Sequence, residues 1–170
     1  MNIINGSSSL LFIINTIKAF YCSNLLTWKL SNSFLVIASF LCNAYEYKPP
    51  YLFLDYLAIF LISTSYINNI SINVPYTLLI IYEYKDTNSI EIMKNVACAT
   101  AIGKTVIYTY LYVDKIHYYI ALTSAISGTC VYTLRVYLHK SNNKKYTLLL
   151  TYLLHISIMN LLYVASITAS

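Results

Sequence analysis

Of the 170 residues, 58% are hydrophobic and only 10% are charged, with a formal net charge of +5 and a mean hydropathy of +0.60. A water-facing surface is normally about a quarter charged, so this supply of charge cannot coat a globule of this size, and the apolar excess must face lipid or other helices. The basic residues are scattered along the chain, which argues for an orientation signal and an affinity for anionic head groups, and against nucleic-acid binding. Three Gly and three Pro leave no linker or low-complexity tail, so residues 1–170 read as one domain.

The opening MNIINGSSSLLFII lacks a positively charged leader region, and no small-residue cleavage site comes after it; it reads as the approach to a first helix. Beyond it, clusters of charges and turn residues punctuate seven apolar runs near the length a bilayer demands. These are 8–26, 32–46, 51–68, 70–84, 95–113, 117–138 and 147–168, separated by TWKLS, YKPP, INNIS, KDTNSIEIMK, DK and HKSNNKK. The fourth run is short and contains Pro75; as a re-entrant segment it would leave six spans and reverse the sidedness of every later helix. The expected fold is all-α, a polytopic membrane bundle of about seven helices.

Seven spans place Lys48, Lys85, Lys94, Lys140, Lys144 and Lys145 on one side and Lys29 and Lys115 on the other. Basic loops stay in the cytoplasm, so the amino terminus is expected there and the carboxyl terminus outside or in a lumen. Glu83 and Arg135, near helix ends, are expected to snorkel. Cys22, Cys42, Cys98 and Cys130 lie in apolar runs without CxxC spacing, which points to buried free thiols rather than disulfides or structural zinc.

Four ionisable residues fall well inside the spans: Lys18, Asp55, Lys104 and His155. Each is costly in hydrocarbon and is normally turned toward a partner or a wet cavity. Lys18 is long enough to reach an interface. Lys104 stands in CATAIGKT, which ends like a phosphate-binding loop but has Cys98 in place of the first Gly and no preceding strand; an ion pair with Asp55 is the simpler expectation.

The segment LDYLAIFLISTSY, from Leu54, resembles the third-helix signature of the haemolysin III and progestin/adiponectin-receptor family, which is grouped with the alkaline ceramidases. That family also has S-x-x-x-H in its second helix and H-x-x-x-H in its seventh, where this chain reads SFLCN, from Ser39 to Asn43, and HISIM, from His155 to Met159. The resemblance implies a seven-helix fold acting on membrane lipids, with His155 as a zinc ligand and Ser39 and Asp55 as catalytic residues. In such a site zinc lowers the pKa of a bound water, which Asp and Ser orient toward a lipid amide. Here Asn43 and Met159 replace two of the three ligand histidines. The resemblance therefore implies a divergent hydrolase or a lipid-binding descendant; a non-enzymatic structural or pore-type membrane protein is the alternative.

Spacing places the same residues together. Ser39 with Asn43, and His155 with Met159, are i,i+4 pairs that share a helix face, and the seven-span topology puts both pairs and Asp55 in one leaflet. Simple pairing of Asp55 with His155 would also account for both residues. Cys42 is a conceivable substitute ligand beside His155, whereas His117 is expected at the opposite membrane face and His139 in the basic loop.

Overall fold

The computed structural model describes residues 3–22, 26–67, 87–140 and 146–168. Among the described residues all regular structure is helical. The first rod is built of α1 (Ile3–Gly6), a 3-10 stretch (Ser7–Leu11) and α2 (Phe12–Cys22). After it come α3 (Leu26–Ala44), α4 (Pro49–Ile67), α5 (Thr87–Tyr112), α6 (Lys115–Lys140) and α7 (Thr147–Thr168). The fourth expected run, 70–84 with Pro75, lies outside the described residues, as do Glu83 and most of HKSNNKK.

Local chemistry sets several of these ends. Pro49 and Pro50 open α4, where a missing N–H costs nothing because first-turn donors are unpaired anyway. Asp114 caps α6: its carboxylate accepts the His117 N–H at 2.9 Å and lies 2.5 Å from the His117 Nδ1. These bonds hold the Asp114 carboxyl below its ordinary range. After α3, the Tyr47 N–H donates to the Cys42 carbonyl at 2.9 Å, closing the helix as a C-cap does. Glu46 and Tyr47 reach that turn with φ of 56° and 59°, a left-handed conformation normally left to glycine.

Two expected loops are helical instead. TWKLS opens α3, because Trp28 is only 1% exposed and its indole N–H donates to Ser166 Oγ at 3.3 Å; burying that ring needs the first turn folded. KDTNSIEIMK likewise contains the start of α5, which carries Lys94 into the bundle. Lys94 is 7% exposed, with its ammonium 4.0 Å above the Tyr56 ring centroid, an attraction that replaces part of its hydration. CATAIGKT is continuous helix within α5, so it forms no phosphate loop.

Contacts fix the helix directions. Ser9 and Ser39 join α3 to the rod that α2 continues, and Ser31 and Ser65 join α3 to α4, in antiparallel order; Ser127 with Ser157 does the same for α6 and α7. By contrast α2 and α7 run parallel: the Asn15 amide donates to the Met159 carbonyl at 2.9 Å, and one turn on, the Lys18 ammonium lies 3.1 Å above the Tyr163 ring. Helices α4 and α5 are parallel too, since Lys94 meets Tyr56 and Ala97 meets Phe60. Ile3 and Thr168 therefore lie toward opposite ends of the bundle.

The polarity of the bundle is inverted. Beside apolar core residues such as Trp28, Leu35 and Ile62, the residues Ser8, Ser9, Asn15, Asn32, Thr109 and Ser166 are fully buried. Many of these hydroxyls bond their own helix carbonyl four residues back, as Thr105, Thr109 and Thr151 do at 2.8 Å. Ile4, Ile14, Leu26, Ile37, Val96, Ile107 and Ile126 stand exposed instead. Two helical stretches among the described residues, Ile3–Tyr21 and Thr147–Ile167, are long and apolar enough to cross a membrane.

At Gly6 the first rod comes close to α3: a Cβ there would lie 2.9 Å from two Phe40 ring carbons and 3.1 Å from the Phe40 carbonyl oxygen. At Gly103 a Cβ would meet nothing within 4 Å. Gly6→Val should thus cost about 1–3 kcal/mol by overpacking, whereas Gly103→Ala should be neutral or gain up to about 1 kcal/mol of helix propensity. Thermal unfolding of both variants in detergent reads the contrast; equal midpoints would mean that α1 does not press on α3.

Candidate functional site

The 3-10 stretch organises the end of the bundle where the chain begins. With about three residues per turn, successive side chains point roughly 120° apart, so Ser7, Ser8 and Ser9 address different neighbours. Ser9 Oγ donates to Ser39 Oγ on α3 at 3.1 Å. Ser7 hydrogen-bonds the Tyr152 hydroxyl on α7. Ser8 lies with its main chain against the His155 ring, and the Phe12 ring packs 4.9 Å from that imidazole. Helices α3 and α7 are thus joined through one short segment of the first rod.

On the α3 side, the Asn43 amide donates to the Ser39 carbonyl at 2.8 Å and to Ser9 Oγ at 3.3 Å, while its Oδ1 accepts the Tyr47 hydroxyl at 2.5 Å. Arg135, from α6, donates to the Tyr47 oxygen and sits 5.1 Å over the Tyr47 ring. A relay of donors therefore runs from Arg135 through Tyr47 and Asn43 to Ser39. Burial pushes the Tyr47 hydroxyl above its ordinary pKa, so it stays a neutral donor. The left-handed turn at Glu46 and Tyr47 is what brings this phenol back over the end of α3.

Ser39 hydrogen-bonds Asp55 from α4, and the cations acting on that carboxylate are Lys94 and Arg135. The structure thus brings Ser39 and Asp55 together and sets His155 at the same end, against Phe12 and Ser8 rather than against Asp55. Lys94, not the expected Lys104, is the lysine whose charge acts on Asp55; it lies ten residues, roughly 15 Å of helix, nearer this end. Arg135 reaches Tyr47, in the turn that follows α3. Cys42 is fully buried, but Cys130 is exposed on the outside of the bundle, contrary to the expectation for a buried thiol. His117 sits at the opposite end, stacked 6.3 Å from Tyr163.

Three polar atoms of this cluster, Ser8 Oγ, Asp55 Oδ1 and His155 Nδ1, are buried without a hydrogen-bond partner among the described residues. Such atoms are costly unless something pairs with them. The donors present do not fit a catalytic zinc. Both ends of the Asn43 amide are occupied, and Met159 packs into the apolar core. That leaves one imidazole where about three ligands are needed. Among the described residues no three His, Cys, Asp or Glu side chains converge on a metal position. The arrangement is suited to hydrogen-bonding a polar group.

Sequence reasoning missed Ser7, Ser8, Ser9, Tyr47 and Lys94. The serine triplet directly ahead of an apolar run was a usable signal, since hydroxyls that enter a bilayer need partners. No protein-family model matches the chain, and no curated protein or solved structure matches it.

Tyr47→Phe removes a hydroxyl that both donates and accepts in the relay and should destabilise the protein by about 1–3 kcal/mol. Glu46→Gly relieves a left-handed non-glycine residue and should gain up to about 1 kcal/mol. Denaturation in mild detergent distinguishes them, and a loss on Glu46→Gly would place the strain elsewhere.

Proposed function

We propose that this chain is a multi-pass integral membrane protein that holds the polar head of a membrane lipid at the Ser39, Asp55 and His155 end of its bundle, without zinc-dependent hydrolysis. The observation that carries the reading is the inverted polarity: three partnerless polar atoms and many hydroxyls are buried, while isoleucines and leucines are exposed along α2, α3, α5, α6 and α7. In water that distribution would be unstable, but in lipid it is the normal one. A head group offering hydroxyl, amide or carbonyl functions would satisfy Ser8, Asp55 and His155 together.

Seven crossings are supported by the helix directions. Helices α4 and α5 run parallel, as the seven-span reading requires of the helices on either side of its fourth apolar run. Parallel α2 and α7 likewise agree with an odd number of spans. With the basic loops inward, the amino terminus is cytoplasmic and the carboxyl terminus is outside or lumenal.

The protein should resist alkaline carbonate extraction, and tags in the 141–145 loop and after Ser170 should report opposite sides of the membrane. Release by carbonate, or both tags on one side, would overturn the topology. Purified without chelator, the chain should carry well under one zinc and show no metal-dependent amidase activity. Asn43→His with Met159→His should raise zinc affinity sharply, because it supplies the missing imidazoles. Stoichiometric zinc in the unmodified protein would sink the metal-free reading. Asp55→Leu should abolish stabilisation by added lipid extract while the protein still folds; parallel loss of folding and lipid response would favour a purely structural bundle.

A further inference from the structure

A second polar feature lies away from that site. Between α6 and α7, on the outside of the bundle, is an open cavity of about 310 Å³ whose polar lining is Thr123, Ser124, Ser127, Ser157 and Asn160. Leu153 and Ile156, both well exposed, flank it with Val131. Its size falls at the lower end of the range for small-ligand sites. The two helices meet closely beneath it, since a Cβ on Gly128 would lie 3.3 Å from Ser157 Cβ, and Ser127 and Ser157 hydrogen-bond each other at 3.1 Å. Two groups remain unspent: the hydroxyl of Ser124, a residue only 5% exposed, and the Asn160 amide have no hydrogen-bond partner among the described residues.

Position decides what chemistry fits. Ser124 and Ser127 are near the middle of α6, and Ser157 and Asn160 near the middle of α7, so in a membrane the cavity opens sideways at the depth of the acyl chains. Water and charged head groups do not reach there. A charged ligand would have to be stripped of water with no cation or anion in the lining to compensate it. An uncharged head bearing hydroxyl and ester carbonyl groups meets both requirements: it reaches that depth, and it can donate to Asn160 and accept from Asn160 and Ser124 while its chains lie along Leu153 and Ile156.

We propose that the α6–α7 cavity is a lateral binding site for an uncharged acylglycerol, entered from the bilayer and built on the Ser124 hydroxyl and the Asn160 amide. The site rests on the membrane reading but not on the Ser39 and Asp55 cluster, from which it is separate. The small residues here are already used to pack α6 on α7, and what remains is a concavity the size of a head group rather than a flat face for another helix.

The test uses the full chain reconstituted in phosphatidylcholine vesicles with a photoactivatable diacylglycerol, and a photoactivatable phosphatidylcholine in a parallel sample. The diacylglycerol probe should label peptides of α6 and α7, and excess dioleoylglycerol should compete it away where phosphatidylcholine does not. Asn160→Leu should weaken that competition about tenfold, equivalent to about 1.4 kcal/mol, and Ser124→Ala should weaken it in the same direction. Thr100→Val, on the exposed side of α5, should leave it unchanged and shows that a hydroxyl can be lost without unfolding. Equal labelling by both probes, or labelling spread over all helices, would overturn the proposal. So would disulfide cross-linking of Cys130 between two copies that excludes the probe, since a second copy would then fill the cavity. Failure of the chain to enter vesicles at all would instead count against the membrane reading.

Discussion

The hydroxyls of Ser7 and Ser9 tie the first rod to two other helices at once, and the polar end of the bundle is arranged around that bond pair. Ser9 takes hold of Ser39 on α3, and Ser7 takes hold of Tyr152 on α7. Helices that present apolar faces outward cannot be ordered by the hydrophobic effect alone; close packing and internal hydrogen bonds must choose the neighbours. This imposes three local conditions. The rod must tighten to a 3-10 stretch so that successive serines diverge, Gly6 must lack a side chain so that the rod can touch Phe40, and the His155 ring must pack, tilted, against Phe12 to share the seam.

The charges at the same end obey a second constraint. A buried carboxylate is tolerated only when cations and donors surround it, and removing one member leaves the rest uncompensated. Asp55 meets this only in part: Ser39, Lys94 and Arg135 act on it while its Oδ1 is left without a partner among the described residues, and the two cations are themselves steadied over Tyr56 and Tyr47. The strained turn after α3 belongs to the same device, because without its two left-handed residues Tyr47 would not reach both Asn43 and Arg135.

Asn43 and Met159 read differently once they are placed. Asn43 is more than a weak substitute for a ligand: its amide donates to Ser39 and Ser9, and its carbonyl oxygen accepts from Tyr47, a set of roles that a metal-bound imidazole could not fill. Met159 gives the core a flexible apolar side chain and gives Asn15 a backbone acceptor. Both residues are therefore committed to hydrogen bonding and packing within the bundle.

Composition and the spacing of apolar runs were enough to place six helices, because a lack of charge and runs of bilayer length are properties of the chain read in order. The shared level of Ser39, Asp55 and His155 was legible as well, since alternating helix directions can be counted from the breaks. Loop boundaries at Trp28 and Lys94 were not. A tryptophan or lysine next to polar residues looks like an interface until Ser166 or Tyr56, far away in sequence, provides its partner. The same holds for the choice of Lys94 over Lys104 and for the bond from Arg135 to Tyr47. The sequence by itself determined how much of this protein is helical and where polar groups enter the apolar runs; only the tertiary structure decided which of those groups meet, because hydrogen bonds and ion pairs form only within about 3–4 Å, between residues far apart in the chain, and leave no periodic trace in it.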